Sequence, residues 1–285
     1  MANEAMRDTW ATGAEGWVRN ERIFDAVFAP FTAAIAGAAD LGSARRVLDV
    51  GCGAGTLVEA AVFAGAAAVG VDISQPMVEA ARRRVPAATV VVADAQTEDL
   101  LAAAPGEPFD RVVSRFGVMF FADPVAAFAN IRSASAPGAR LAFVCWREGE
   151  TEMFAHGLRA LKAHLPEPPA PPQPGAPGPM GFAHADRIRE VLSGSGWSEV
   201  TVDVADAMCD YAIDGSDGVE QRMAVVLSGM VGRAVRAELE PRLDADGWQA
   251  VLDEARDELR AKFVDGGVRF VGHTWLVTAT NRQPK

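Results

Sequence analysis

Three glycines at positions 51, 53 and 55 follow the apolar run Val47-Leu48-Asp49-Val50 and precede a helix-compatible segment that opens at Thr56. Positions without a Cβ let the backbone turn tightly against a ligand, and the N–H groups of the following helix point at the same spot. The chemistry this suits is nucleotide binding. Asp72 supplies a second signal. It ends another apolar run, Ala68-Val69-Gly70-Val71, and lies 21 residues after Gly51, the spacing at which a carboxylate accepts both ribose hydroxyls. The loop departs from the dinucleotide pattern GxGxxG, because Thr56 follows the third glycine and the two-residue gap is missing. A nicotinamide cofactor is therefore the weaker expectation.

Elements that position these residues follow from the alternation of strand-like and helix-like segments between residues 41 and 146, which predicts an α/β fold of parallel strands joined by helical crossovers. Strands are expected at 46–50, 68–72, 89–93, 110–114 and 140–146, each apolar without polar alternation, as in strands covered on both faces. Helices are expected near 56–66, 75–85 and 124–135, with Pro76 in a first turn behind a Ser74 cap. Residues 166–179 hold eight of the 17 prolines, a composition that reads as a stiff exposed connector. It follows an expected helix at 151–164 and precedes another that runs to about Ser193. A second insertion, about 216–262, has helical spacing in Val219, Met223, Val226, Leu227 and Met230, and again in Trp248, Val251, Leu252, Ala255 and Leu259.

Four ordered blocks carry a family resemblance: VLDVGCGAGTL at 47–57 with GVDIS at 70–74, VVVADAQ at 90–96, FDRVVSRFGVMFFADP at 109–124 and PGARLAFVCW at 137–146. With them the chain resembles the class I S-adenosylmethionine-dependent methyltransferases, especially the small-molecule group that includes the ubiquinone and menaquinone C-methyltransferases. The resemblance implies a Rossmann-like, doubly wound, seven-stranded sheet, mainly parallel with an antiparallel last strand. Strands at about 197–205 and 267–279 would complete it. It also implies one methyltransferase domain over 1–285, in which a helical segment at 1–40 lies over the cofactor, 41–146 form the cofactor-binding core, and 147–182 with 210–265 form a cap.

The cofactor implied is S-adenosylmethionine. By resemblance Asp49 would hold its ammonium group, and the backbone at Gly51, Cys52 and Gly53 would line the methionine moiety. Asp72 would take the ribose, Ile73 and Met77 would pack on the adenine, and Asp94 with the Ala95 amide would read its edge. Ser114, Arg115 and Phe116 end the fourth strand, where methyl donor faces acceptor. Many relatives carry a small polar residue at the place of Arg115, so this side chain has three readings: pairing with the cofactor carboxylate, reaching an acidic substrate, or turning to Asp123. Trp10 and Trp17 stand in the segment that relatives fold over the cofactor. An aromatic face near a sulfonium stabilises it by about 0.5–2 kcal/mol, although burial of Trp17 as a helix anchor is an equal reading.

Composition narrows the partners. A formal net charge of −11, with 27 basic residues scattered among 38 acidic ones, argues against nucleic acid. Arg82, Arg83 and Arg84 form the one basic run and read as complements to a helix C-terminus. Cys52, Cys145 and Cys209 have no metal-ligand spacing, so no metal and no disulfide framework are expected, and a reducing, cytoplasmic setting is the simpler one. The start of the chain lacks a signal-peptide pattern, no run of 18 apolar residues suggests a membrane span, and a homodimer is left open.

Transfer of an activated methyl needs alignment and exclusion of water, plus a base where the acceptor carries a proton. The candidates are His184, His156 and Tyr211. His164 reads as a solvated helix end and His273 as a satisfied histidine within the last strand. Motifs for amino-methylating DNA enzymes, cytosine C5 methylation, arsenic methylation and metal-assisted catechol methylation are missing. The expected function is methyl transfer to an O, N or C atom of a small, partly apolar molecule under a helical cap. A protein methyltransferase, a catalytically silent S-adenosylmethionine-binding scaffold and, more distantly, an oxidoreductase are the alternatives.

Overall fold

The computed structural model describes residues 3–149, 155–167 and 175–282. Its core is a seven-stranded sheet in the order β3-β2-β1-β4-β5-β9-β6. The first five strands are β1 (Arg46–Val50), β2 (Ala67–Asp72), β3 (Thr89–Val92), β4 (Phe109–Arg115) and β5 (Ser135–Trp146). They pair in parallel, with Leu48 set between Val69 and Val112. β9 (Thr274–Thr280) runs antiparallel to both β5 and β6 (Ser198–Val204). This is the expected Rossmann-like α/β sheet with a single antiparallel member.

Parallel strands need covered faces, and the crossovers supply the cover. Helix α4 (Thr56–Phe63) joins β1 to β2, α5 (Gln75–Arg84) joins β2 to β3, and α7 (Pro124–Ser133) joins β4 to β5; the short α6 (Leu100–Ala103) precedes β4. Proline occupies the first turn of α5 and of α7, where its missing N–H costs nothing, and the Asp123 carboxylate caps α7 by accepting from the Ala126 N–H. Leu48, Val112, Leu141, Phe143 and Val277 are fully buried between the layers.

Ahead of the sheet come α1 (Glu4–Arg19), α2 (Glu21–Val27) and α3 (Ala29–Ala39). Among the described residues no single helix is long and apolar enough to cross a membrane; α2 and α3 pass that test only as a pair bent by 65°. Their apolar side chains, including Phe28, Phe31 and Ile35, are buried in the core.

Beyond β5, α8 (Leu158–Ala163) lies within the helix expected at 151–164, whose first residues fall outside the described ones. Positions 168–174 of the proline-rich connector also lie outside them. Helix α9 (Ala185–Gly194) leads into β6. The second insertion forms α10 (Val219–Ser228), α11 (Met230–Leu239) and α12 (Ala245–Arg260).

The last expected strand is divided. Residues 267–279 are not a single strand: β8 (Arg269–Gly272) leaves the main sheet and pairs with β7 (Ala207–Asp210) in a separate two-stranded sheet. The break falls at His273. Its Nδ1 lies 2.8 Å from Asp206, which also accepts from the Thr274 N–H and forms an ion pair with Arg147. There the Thr274 N–H goes to a carboxylate, while the His273 and Thr274 carbonyls accept from the Arg147 and Ala205 N–H groups, and the chain changes sheets.

Phe143 packs against Phe128 and Phe182 with no exposure. Phe143→Ala should lower stability by about 3–5 kcal/mol through lost burial and the cavity left behind, read as a shift in the urea midpoint at unchanged slope.

Candidate active site

Strand order reverses between β1 and β4, and open α/β sheets place their ligands at such a switch point, beyond the carboxyl ends of the strands. The sequence puts a carboxylate near the end of each adjacent strand there: Asp94 just after β3, Asp72 at the end of β2 and Asp49 next to the end of β1. The glycine loop runs beside them. Gly51 has φ +67°, and a Cβ on it would stand 2.8 Å from Gly117 Cα, so only glycine lets the β1 and β4 loops meet. At Gly53, with φ +52°, a Cβ would meet nothing within 4 Å; this stretch of backbone faces open space.

Asp72 ties the first two loops together by accepting from the Gly53 N–H and the Ser74 N–H, each at 2.9 Å. Burial raises its pKa, and these backbone donors oppose the shift. Asp49 is almost fully buried, and its Oδ1 has no hydrogen-bond partner among the described residues. Burial lifts its pKa to about 7; the positive charge of Arg115 pulls it down and Asp72 pushes it up. A buried carboxylate with a spare oxygen fits a cationic ligand group. The Cys52 thiol is likewise raised, first by burial and then by Asp72 and Asp49, which keeps it protonated.

Asp94 is buried and accepts from the Gln96 N–H. It also accepts from the Asn3 side-chain amide, at 2.9 Å on one oxygen and 2.8 Å on the other. Ala95 is buried behind it, Ile73 is half-buried, and Met77 lines a small cavity with Trp17, Phe24, Asp25, Cys52, Thr56 and Arg115. Trp17 stacks on Phe24 at 3.8 Å between ring centroids.

At the end of β4, the Ser114 hydroxyl donates to the Val50 carbonyl at 2.7 Å and accepts from the Gly117 N–H, stitching β4 to β1. Of the three readings for Arg115, the turn to Asp123 does not occur. Its guanidinium donates to Thr32 Oγ1 at 2.8 Å and Thr56 Oγ1 at 3.2 Å and stands 3.7 Å from Asp25. Burial lowers its pKa, and Asp25 and Asp49 oppose that. Phe116 lies flat on Trp146 at 4.1 Å, with Phe28 and Phe31 at their edges.

The three candidate bases do not gather at this crevice. His184 precedes α9 at the surface, with its side chain 58% exposed and Nδ1 3.0 Å from Glu148. His156 and Tyr211 are buried beside Phe270, bridged by Arg222, which donates to the Tyr211 hydroxyl and the His156 carbonyl, each at 3.1 Å. Burial raises the Tyr211 phenol. His164 pairs with Glu254. Sequence reasoning missed Asn3, Phe24 and Asp25. Thr56 stood inside the recognised motif, but nothing local marked the others as its neighbours.

Fold and site define a class: a Rossmann-like domain whose glycine loop and carboxylate row suit an adenosyl ligand. Residues 47–138 match the model of the methyltransferase domain family. Over 171 residues the chain is 29% identical to the aklanonic acid methyltransferase DauC of Streptomyces sp. (strain C5), covering 55% of this chain and 76% of that one. It is 34% identical over 123 residues to the ubiquinone biosynthesis O-methyltransferase of Methylococcus capsulatus, covering 42% and 47%. A methyltransferase structure from Bacillus halodurans superposes with a TM-score of 0.53 at 16% identity, covering 88% of this chain and 99% of that one. The chain spans about half the length of several curated relatives it matches. Over the cofactor-binding core its likeness is to the class I S-adenosylmethionine-dependent methyltransferases.

A carboxylate whose pKa rises from the unfolded value of about 3.9 costs stability between that pH and its folded value near 7, because the unfolded chain ionises first. Asp49→Asn should therefore raise the melting temperature of the ligand-free protein at pH 7.5 and leave it unchanged at pH 3.5. If ionised Asp49 meets a cationic ligand, affinity for S-adenosylhomocysteine should strengthen from pH 5.5 to 7.5 in the wild type. In Asp49→Asn the dependence should flatten, as calorimetry at both pH values would reveal.

Proposed function

We propose that the chain transfers a methyl group from S-adenosylmethionine to an oxygen, nitrogen or carbon atom of a small, partly apolar molecule. The observation that carries this reading is the row Asp94, Asp72 and Asp49 on neighbouring strand ends beside a glycine loop. Their order along the strand ends suits an elongated ligand with an adenine, a ribose and an ammonium group. When bound, the cofactor would supply a sulfonium-activated methyl to an electron pair of the acceptor, the carbon–sulfur bond breaking as the new bond forms and the acceptor's proton leaving to a base or to water.

In this reading the side chains bind and orient. Asp94 and the Ala95 amide take the adenine edge, with Ile73 and Met77 on its faces. Asp72 accepts from the ribose hydroxyls, and the Gly51–Gly53 backbone lines the methionine chain. Asp49 holds the ammonium with the oxygen that lacks a partner among the described residues. Trp17 covers the crevice, where water must be kept from the reacting carbon.

The acceptor side is apolar. Phe116 and Trp146 end β4 and β5, and Phe28 and Phe31 close the same corner, which supports a partly apolar acceptor. Two of its relatives, an aklanonic acid methyltransferase and a ubiquinone biosynthesis O-methyltransferase, are named for such molecules, which supports this reading. Alignment then carries most of the rate. Of the three candidate bases, His184 is the accessible one, while the raised phenol of Tyr211 works against a base role at neutral pH.

The test combines binding and turnover. S-adenosylmethionine and S-adenosylhomocysteine should bind in calorimetry where NADH does not, and labelled methyl should pass to small aromatic or quinone-like acceptors. Binding of NADH alone would overturn the proposal. Asp72→Ala should weaken cofactor binding by about 1.5–3 kcal/mol, the worth of a hydrogen bond to a charged group; unchanged affinity would remove Asp72 from the site. His184→Ala should slow turnover at unchanged cofactor affinity, and wild-type turnover would retire His184 as a base.

A further inference from the structure

Residues 3–25 do more than cover the crevice. They enter it with side chains at both ends, and each carries a group that the proposed cofactor also carries. At the adenine end the Asn3 carboxamide gives its N–H groups to both oxygens of Asp94, the carboxylate assigned to the adenine amine. A primary amide and an aminopurine edge present the same donor to a carboxylate. At the methionine end, Asp25 places its carboxylate among cations and a hydroxyl. Oδ1 accepts from Thr56 at 2.6 Å and faces Arg115 at 3.7 Å, while Oδ2 accepts from Arg84 at 2.6 Å. Thr56 opens α4, so the helix N-terminus adds its partial positive charge. An amino-acid carboxylate suits the same setting.

We propose that the N-terminal segment is an intramolecular cofactor mimic: Asn3 stands in for the adenine amine on Asp94, and Asp25 for the methionine carboxylate before Arg115 and Thr56. The inference rests on the cofactor placement given under Proposed function. Two features make the segment a competitor and not a fixed part of the site. The cavity left between Trp17, Asp25, Met77 and Arg115 is about 30 Å³, whereas ligand clefts run to roughly 300–1,000 Å³, so the segment must move for the cofactor to enter. Contacts at Asn3 are also imperfect. Its own Oδ1 is buried without a partner among the described residues, which makes the contact displaceable by a better donor. Trp10 fastens the middle of the segment, its carbonyl accepting from Ser74 Oγ and its ring meeting Phe120 edge-on at 5.1 Å.

A closed state of this kind lowers apparent affinity by the fraction of molecules that are open, so weakening the mimic tightens binding. Calorimetry with S-adenosylhomocysteine and with 5′-methylthioadenosine, which keeps the adenosine but lacks the carboxylate, separates the two ends. Asn3→Ala should tighten both ligands by about fivefold, the worth of one ordinary hydrogen bond. Asp25→Asn should tighten S-adenosylhomocysteine by a similar factor and leave 5′-methylthioadenosine unchanged. Asp94→Ala should weaken both.

If Asp94→Ala weakens both ligands while Asn3→Ala tightens neither, the mimic is overturned and the adenine assignment stands. If Asp94→Ala changes neither, the adenine assignment fails and the proposal falls with it. Equal effects of Asp25→Asn on both ligands, or none, overturn the carboxylate half. Hydrogen exchange on ligand-free protein gives a readout apart from binding. Amides of Glu4–Arg19 should exchange several-fold faster in Asn3→Ala, and unchanged rates would show that the contact does not hold the segment.

Discussion

The Asp72 carboxylate is the interaction on which the crevice depends. It accepts from the Gly53 N–H in the first loop and the Ser74 N–H in the second, so one side chain fixes the spacing of two strand ends. The Gly51 and Cys52 N–H groups donate to the Val71 carbonyl next to it, and Ser114 binds the β1 end to β4 from the other side. The glycine loop is thus held on both flanks by hydrogen bonds that involve its own backbone or that of its neighbours. A loop fixed in this way presents its open face, at Gly53, without the entropy loss of ordering it on binding.

That fixed frame encloses more charge than it neutralises by pairing. Asp49, Asp72, Arg115, Arg84 and Asp25 form a chain of alternating and like charges across a poorly solvated corner. Buried carboxylates rise in pKa and the buried arginine falls, each moving toward neutrality. A zwitterionic amino-acid head group is the natural complement of such a corner, since it offers a cation to Asp49 and an anion to Arg115 in one molecule. Asp25 supplies only the anion, which leaves Asp49 the more frustrated of the two.

Most of the sheet was legible because local pattern determines it. β1 falls at residues 46–50 as expected, and β2, β3 and β4 differ by a residue or so at their ends, since apolar runs between glycine and proline signals mark them. β5 begins five residues earlier than expected, because Ser135 already pairs with Phe109 ahead of an irregularity in the register. The break between β8 and β9 was not legible: it follows from Asp206 reaching His273 and Thr274 across 67 and 68 positions of sequence. Asn3 and Asp25 were hidden for the same reason. Their partners lie 91 residues away in one case and 31 and 59 in the other, and no spacing rule covers such distances.

Phe116 shows how the frame reaches the end of β5. It has φ +64°, a left-handed conformation that costs a bulky residue roughly 1–3 kcal/mol. The surroundings over-determine it: its N–H donates to the Val144 carbonyl, its ring lies on Trp146, and Phe28 and Phe31 meet it edge-on. Gly117 follows, where a Cβ would sit 2.6 Å from the Val50 carbonyl oxygen, so the chain has no room to relax toward β1. The strain therefore has a location and a direction: it turns an aromatic face from the end of β4 onto the end of β5, beside Arg115. A relaxed extended residue there would continue the strand and point its ring elsewhere. The aromatic cluster and the charged corner are consequently set by one backbone turn, next to the hydrogen bonds that fix the glycine loop.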